Sequence, residues 1–162
     1  MYPHIVAVFH LPEEAEHAFH ALQSYVKKDE ISFLRKTDSP ESLTGDASAD
    51  PVVDGAAIGA AIGGTAGIAF SMGTLLIPGI GPIIAAGPLL SLLAGAISGG
   101  VIGGLADLGI NRYTSEHIHQ HLQRGDVVLV VAISRPELRE PVIHLLEQQG
   151  ATEIHEEPVI ED

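Results

Sequence analysis

Residues 75–90 read LLIPGIGPIIAAGPLL, and the fold turns on how this stretch is understood. Its centre, IPGIGP (Ile77 to Pro82), holds two prolines and two glycines, the ordinary ingredients of a turn, yet the stretch has no charged or polar side chain. Turns normally lie at the surface, because their backbone amides and carbonyls have no ladder to pair with. An apolar turn must be hidden, either by lipid or by protein. Its surroundings repeat the pattern. Residues 1–54 carry 4 basic and 10 acidic side chains, residues 55–106 carry none, and residues 107–162 carry 4 and 11.

Within the uncharged run, small residues follow a helical stripe. Gly55, Gly59, Gly63 and Gly67 stand at four-residue spacing, and Gly87, Ser91, Gly95, Gly99 and Gly103 repeat it. Small residues at i, i+4 let two helix backbones approach closely. Asp50-Pro51 suits a helix start, with Asp50 at the N-cap and Pro51 at the first helical position. Pro78 ends that helix, and Gly87-Pro88 opens the next. The spacing thus predicts an antiparallel glycine-zipper helical hairpin over residues 51–110, with Pro78, Gly79, Gly81 and Pro82 at its tip. At about 1.5 Å per residue the arms Pro51 to Ile77 and Pro88 to Ile110 would be roughly 40 and 35 Å long, enough to cross a bilayer core. Against a plain two-pass hairpin stand a single aromatic residue in the run (Phe70), the lack of a basic cluster and a tip with no polar anchor. Glycines in such helices cost about 1 kcal/mol each against alanine, so packing in lipid or in an oligomer has to offset them.

The flanks read as an α/β frame. HIVAVFH (His4 to His10) is strand-like, Leu11-Pro12 opens a helix with Ala15, Phe19, Leu22 and Val26 at helical spacing, and ISFLRKT (Ile31 to Thr37) is a second strand. Residues 38–50 are a polar linker. After the hairpin come a helix closed by Gly125, the buried strand DVVLVVAIS, a helix ending at Gly150, and a weak last strand in ATEIHEEPV. Residues 1–37 and 111–162 together give an α+β, ferredoxin-like split βαβ sandwich, with the hairpin replacing its central turn and an acidic tail at its end. Ile5, Ala7 and Phe9 alternate with Val6 and Val8, and both sets are apolar, so the sheet needs cover on both faces. The inserted segment or another subunit's sheet would supply it.

Composition narrows the function. The 162 residues suit one domain and include no cysteine, which excludes a disulfide framework and thiolate chemistry. The amino terminus lacks the basic start, apolar core and cleavage site of a signal peptide and reads as a mature first strand. A net charge of −13 with both flanks acidic argues against nucleic acid. GIGPIIAAG (Gly79 to Gly87) lacks the spacing of a dinucleotide loop, and no Walker lysine is present, so no enzyme activity and no cofactor are expected.

Several segments together resemble the bacterial general-stress proteins of the heat- or low-temperature-induced type. They are HIVAVFHLPEEAEHAFHALQ, GAAIGAAIGGTAGI, LLIPGIGPIIAAGPLL, GGVIGGLADLGI and RGDVVLVVAI. The resemblance implies stress-associated expression and membrane association, and it brings no catalytic residues. In the helix after the hairpin this chain departs from the pattern, carrying Arg112-Tyr113 and a histidine cluster where similar proteins have an acidic, tyrosine-bearing helix.

That cluster is the chemical feature of the chain. EHIHQH places His117 and His121 at i, i+4 on one flank of a helix, a spacing that can bind a transition metal, with Glu116 nearby and His119 turned away. His17 and His20 form a second pair. Two ligands do not close a site, and the others would be carboxylates or another subunit's groups. The plain reading of the flank is a solvated polar surface beside Ile118 and Leu122, and of Asp and Glu in the tail EEPVIED likewise a solvated surface. The sequence therefore points to a non-enzymatic stress-associated protein that self-associates as a homo-oligomer through its hairpins, with membrane lipid as partner and the α/β domain on the cytoplasmic side. One alternative is a cytoplasmic assembly or filament whose hairpins share an apolar core. The other is a metal- or pH-responsive module using His117 and His121.

Overall fold

HIVAVF (β1, His4–Phe9) is buried at every position, and its alternation sorts the residues onto two faces. Ile5, Ala7 and Phe9 enter one apolar cluster, Val6 and Val8 the other. In the computed structural model, which describes residues 2–37, 72–77, 79–95 and 100–158, β1 sits inside a six-stranded antiparallel sheet. The other strands are β2 (Ile31–Lys36), β3 (Met72–Ile77), β4 (Gly81–Ala86), β5 (Val127–Ala132) and β6 (Glu153–Glu157), in the order β3-β4-β2-β5-β1-β6. The central pair β1–β5 aligns Val6 with Val130 and Val8 with Val128.

Helices cover both faces of this mixed α+β fold. On one face α1 (Pro12–Leu22) and α5 (Arg139–Gln148) lay Ala15, Ala18, Phe19, Leu22, Val142 and Leu146 against Ile5, Ala7, Phe9 and Leu129. On the other, α2 (Pro88–Gly95), α3 (Gly100–Asp107) and α4 (Arg112–Arg124) bring Leu89, Leu93, Val101, Leu105, Ile118 and Leu122 onto Val6, Val8, Leu34 and Val128. The second face is thus covered from within the chain, by part of the inserted segment and by α4.

The apolar turn has a different answer from the one the glycine spacing predicts. Residues 72–86 form a β-hairpin at the edge of the sheet rather than the end of one helical arm, a tip and an approach to the next. Ile77 and Ile80 are buried in the second apolar cluster with Ile83, Ala85 and Leu89, so the turn is shielded by its own chain. Gly79 takes a positive φ of 85°, and the Gln123 side-chain amide donates to its carbonyl at 2.7 Å, giving the turn a backbone partner. Gly81 begins β4, and Pro82 lies opposite Leu76 within the hairpin. The physical reason is two-sided burial: β4 pairs with β2 and sends Ile83 and Ala85 to one face and Ala86 to the other, so its apolar run carries no period to distinguish it from a helix.

The expected second arm begins at Gly87-Pro88, as the proline indicates, and its described residues include two helices, α2 and α3, packed on each other. Gly103, placed on the packing stripe by its spacing, has no contact for an added Cβ within 4 Å among the described residues. The close contact is at Gly104, where an added Cβ would lie 2.6 Å from Leu93 Cδ2. Gly95 closes α2. Gly55, Gly59, Gly63, Gly67, Pro78 and Gly99 lie outside the described residues, and with them the first arm up to residue 71. Among the described residues no helix is long and apolar enough to cross a membrane.

Candidate metal centre

The helix α4 is held at both ends by its own sequence. Asn111 is the N-cap, its side chain accepting from the Thr114 amide at 2.9 Å, and Gly125 closes the C-terminus with φ 94°. Its apolar residues Ile118 and Leu122 face the sheet, which turns Thr114, His117 and His121 toward the edge strand β6. The pairing of β6 with β1 sets Glu153 opposite Val8, His155 opposite Val6 and Glu157 opposite His4, on the face that α4 covers.

A seam of polar side chains results. At one end the buried Glu157 carboxylate accepts from the Asn111 amide at 3.1 Å, from Asn111 Nδ2 at 2.8 Å and from Thr114 Oγ1 at 2.5 Å. At the other end Glu153 stands among three imidazoles. Its Oε2 lies 2.7 Å from His117 Nε2 and 3.3 Å from His155 Nε2, and its Oε1 lies 3.3 Å from His121 Nε2. The Nε2 atoms of His117 and His121 are 3.3 Å apart. Exposed Tyr113 stacks on His117 with an interplanar angle of 7°.

The imidazole of His121 is 2% exposed and has a carboxylate at each nitrogen, Glu153 at Nε2 and Asp126 at Nδ1, the latter 2.6 Å away. The other Asp126 oxygen meets His10 Nδ1 at 2.8 Å. Burial pushes the carboxyls of both Asp126 and Glu153 upward, but hydrogen bonds from the surrounding histidines, with their charge, outweigh it and leave both below the usual carboxylate range. Carboxylate oxygens and imidazole nitrogens thus converge in one half-buried pocket.

His117 and His121 therefore come together as their spacing predicts, but the flank is not a solvated surface, because His121 is buried under β6. The acidic tail is likewise not wholly solvated, since Glu157 is 4% exposed. Glu116 pairs with Arg112 at 2.9 Å on the outer side of α4, away from the cluster. His119 is turned toward Gly79. His17 and His20 lie exposed on α1, against the opposite face of the sheet. Glu153, His155 and Asp126 are the members that helical spacing could not reveal. Their signals are E-x-H within a strand, which puts both side chains on one face, and an aspartate immediately after the C-capping glycine.

No curated protein and no solved structure matches the chain. A family model described as "Protein of unknown function (DUF1269)" matches residues 71–158, which span the β3–β4 hairpin, α2 to α5 and the whole histidine seam. The chain belongs to that family.

Proposed function

We propose that this protein is a non-enzymatic module that binds one divalent transition-metal ion between α4 and β6, through His117, His121 and Glu153. The observation that carries this reading is that one ligand atom from each residue falls within 4.8 Å of the others, around a ring nitrogen that is itself buried. Donors about 2.0–2.1 Å from a tetrahedral ion are separated by about 3.3 Å. The His117–His121 and His121–Glu153 separations are both 3.3 Å. His117 meets Glu153 through the other carboxylate oxygen, Oε2, at 2.7 Å, a hydrogen bond that an ion would open by replacing the shared proton. His155 stands beside Glu153 as a further donor. Imidazole nitrogens with one carboxylate, in a chain without cysteine, favour zinc, cobalt or nickel over magnesium or calcium, which require oxygen-rich shells.

The frame that presents these groups we read as the split βαβ sandwich. The order β2-β5-β1-β6, with α1 and α5 on one face, supports that reading, and the β3–β4 hairpin extends it at the β2 edge. Calorimetric titration of chelator-stripped full-length protein with zinc chloride tests the function. Saturable binding of one ion per chain is expected, abolished by His117→Ala/His121→Ala and not reproduced by magnesium. Equal zinc affinity in the double variant overturns the reading.

A further inference from the structure

We infer that Asp126, backed by His10, is the positioning residue of this site, holding His121 with its hydrogen on Nδ1 so that the Nε2 lone pair faces the ligand cluster. The inference rests on the metal-binding reading and adds to it a residue that contacts no ion.

The first part of the argument is proton accounting. A neutral imidazole carries one N–H, and only the bare nitrogen can bind a metal. An ionised carboxylate can only accept, so a carboxylate 2.6 Å from Nδ1 selects the form with hydrogen there. Glu153 also faces Nε2, but at 3.3 Å, so the shorter contact to Asp126 takes the single hydrogen of the neutral ring and Nε2, directed at His117 and Glu153, keeps its lone pair for an ion. Were Asp126 absent, nothing on the Nδ1 side of the ring would oppose the other tautomer, which places the hydrogen where the ion should sit.

The second part is how firmly the carboxylate is placed. Gly125 turns the chain back at the end of α4, and the Asp126 amide donates to the His121 carbonyl at 3.0 Å. Backbone and side chain of Asp126 thus both return to the same residue. Its second oxygen is held by His10, which follows the last residue of β1. The pairing of Phe9 with Val127 sets His10 directly across from Asp126. Three elements converge on one carboxylate: the end of α4, the start of β5 and the end of β1. A carboxylate behind a metal-bound histidine fixes its tautomer and orientation and raises its basicity, and losing such a partner typically weakens metal binding about 10–100-fold.

The test compares zinc affinity, measured by competition with a chromophoric chelator, in the wild type, Asp126→Ala and Asp126→Asn, together with nitrogen-15 and proton spectra of the zinc-loaded histidines. The wild type should show His121 bound through Nε2 with a slowly exchanging Nδ1–H signal. Asp126→Ala should bind zinc about 10–100-fold more weakly and lose that signal to exchange. Asp126→Asn, which keeps the shape and one acceptor, should recover part of the affinity. A purely structural role would lower thermal stability without moving the Nδ1–H signal. Wild-type binding with unchanged affinity and an unchanged signal in a folded Asp126→Ala overturns the inference and leaves the metal site standing. If that variant fails to fold, equal affinity in Asp126→Asn overturns it instead. Failure of the wild type to bind zinc overturns the site itself.

Discussion

Two adjacent glycines in α3 behave oppositely because of what each faces. Among the described residues an added Cβ at Gly103 meets nothing within 4 Å, while at Gly104 it would lie 2.6 Å from Leu93 Cδ2 and 3.3 Å from Leu93 Cγ, and Leu93 is itself buried. Alanine in a helix is favoured over glycine by about 1 kcal/mol. Gly103→Ala should therefore raise stability by up to about 1 kcal/mol, whereas Gly104→Ala should lose that gain or destabilise, because Leu93 must shift in a packed layer. Urea unfolding of the two variants checks the pair, and a destabilising Gly103→Ala would show that Gly103 packs against a neighbour after all. A third glycine differs again. Gly87 has φ 79°, and a Cβ there would sit 2.2 Å from the Ile31 carbonyl oxygen, so the step from β4 into α2 has room for no other residue. Its neighbour Pro88 made this helix start legible in the sequence, but the backbone crowding behind Gly87 comes from β2, far away in the chain.

Elements were legible where one local signal dominated and obscure where partners decided. The helix α1 follows from Pro12 and the apolar positions Ala15, Phe19 and Leu22, and β5 from an unbroken apolar run between Asp126 and Ser134. The β3–β4 hairpin was not legible as strands: LLI and IIAA have neither a period of two nor of 3.6, β4 being buried on both faces, and glycine stripes on either side suggested helix. The histidine pair on α4 was legible from i, i+4 spacing. Glu153 was not, because only the β1–β6 pairing carries it the 36 positions back to His117. This α4–β6 seam has a pH signature. The carboxyl of Glu153 lies below its ordinary value of 4.5, with burial opposing and the hydrogen bonds from His117 and His155 prevailing. A depressed carboxyl binds fewer protons folded than unfolded, so its stabilisation is present above the unfolded value and is lost as pH falls through the lower folded one. Stability of the metal-free protein should therefore decline on acidification below about pH 4.5, and Glu153→Gln should flatten that part of the decline. Denaturant melts at a series of pH values would show it. A decline of the same steepness in the variant would mean that Glu153 gains nothing from its histidines.

Across the whole molecule, the strand that carries Glu153 into the proposed site has little apolar packing to anchor it. Among the described residues strand β6 lies at the sheet edge, paired with β1 alone, and Ile154 is its one apolar residue packed against a core cluster. Its remaining attachments are polar: Glu153 and His155 to the histidines, Glu157 to the N-terminus of α4, and Glu156 in an ion pair with Arg139 of α5. Edge segments with few buried apolar contacts open locally at a lower free energy than the centre of a fold. An ion held jointly by α4 and β6 can bind only while β6 is docked, so its binding energy opposes that opening. At a free zinc concentration about 100 times the dissociation constant, the docked form gains about 2.7 kcal/mol. Amide exchange at residues 153–157 should then slow by roughly 100-fold in zinc relative to chelator, while β4, buried at the far side of the sheet, changes less. Hydrogen-exchange mass spectrometry resolves the two regions. Zinc that binds with full stoichiometry yet leaves β6 exchange untouched would place the ion on α4 alone, and Glu153 would no longer count among its ligands.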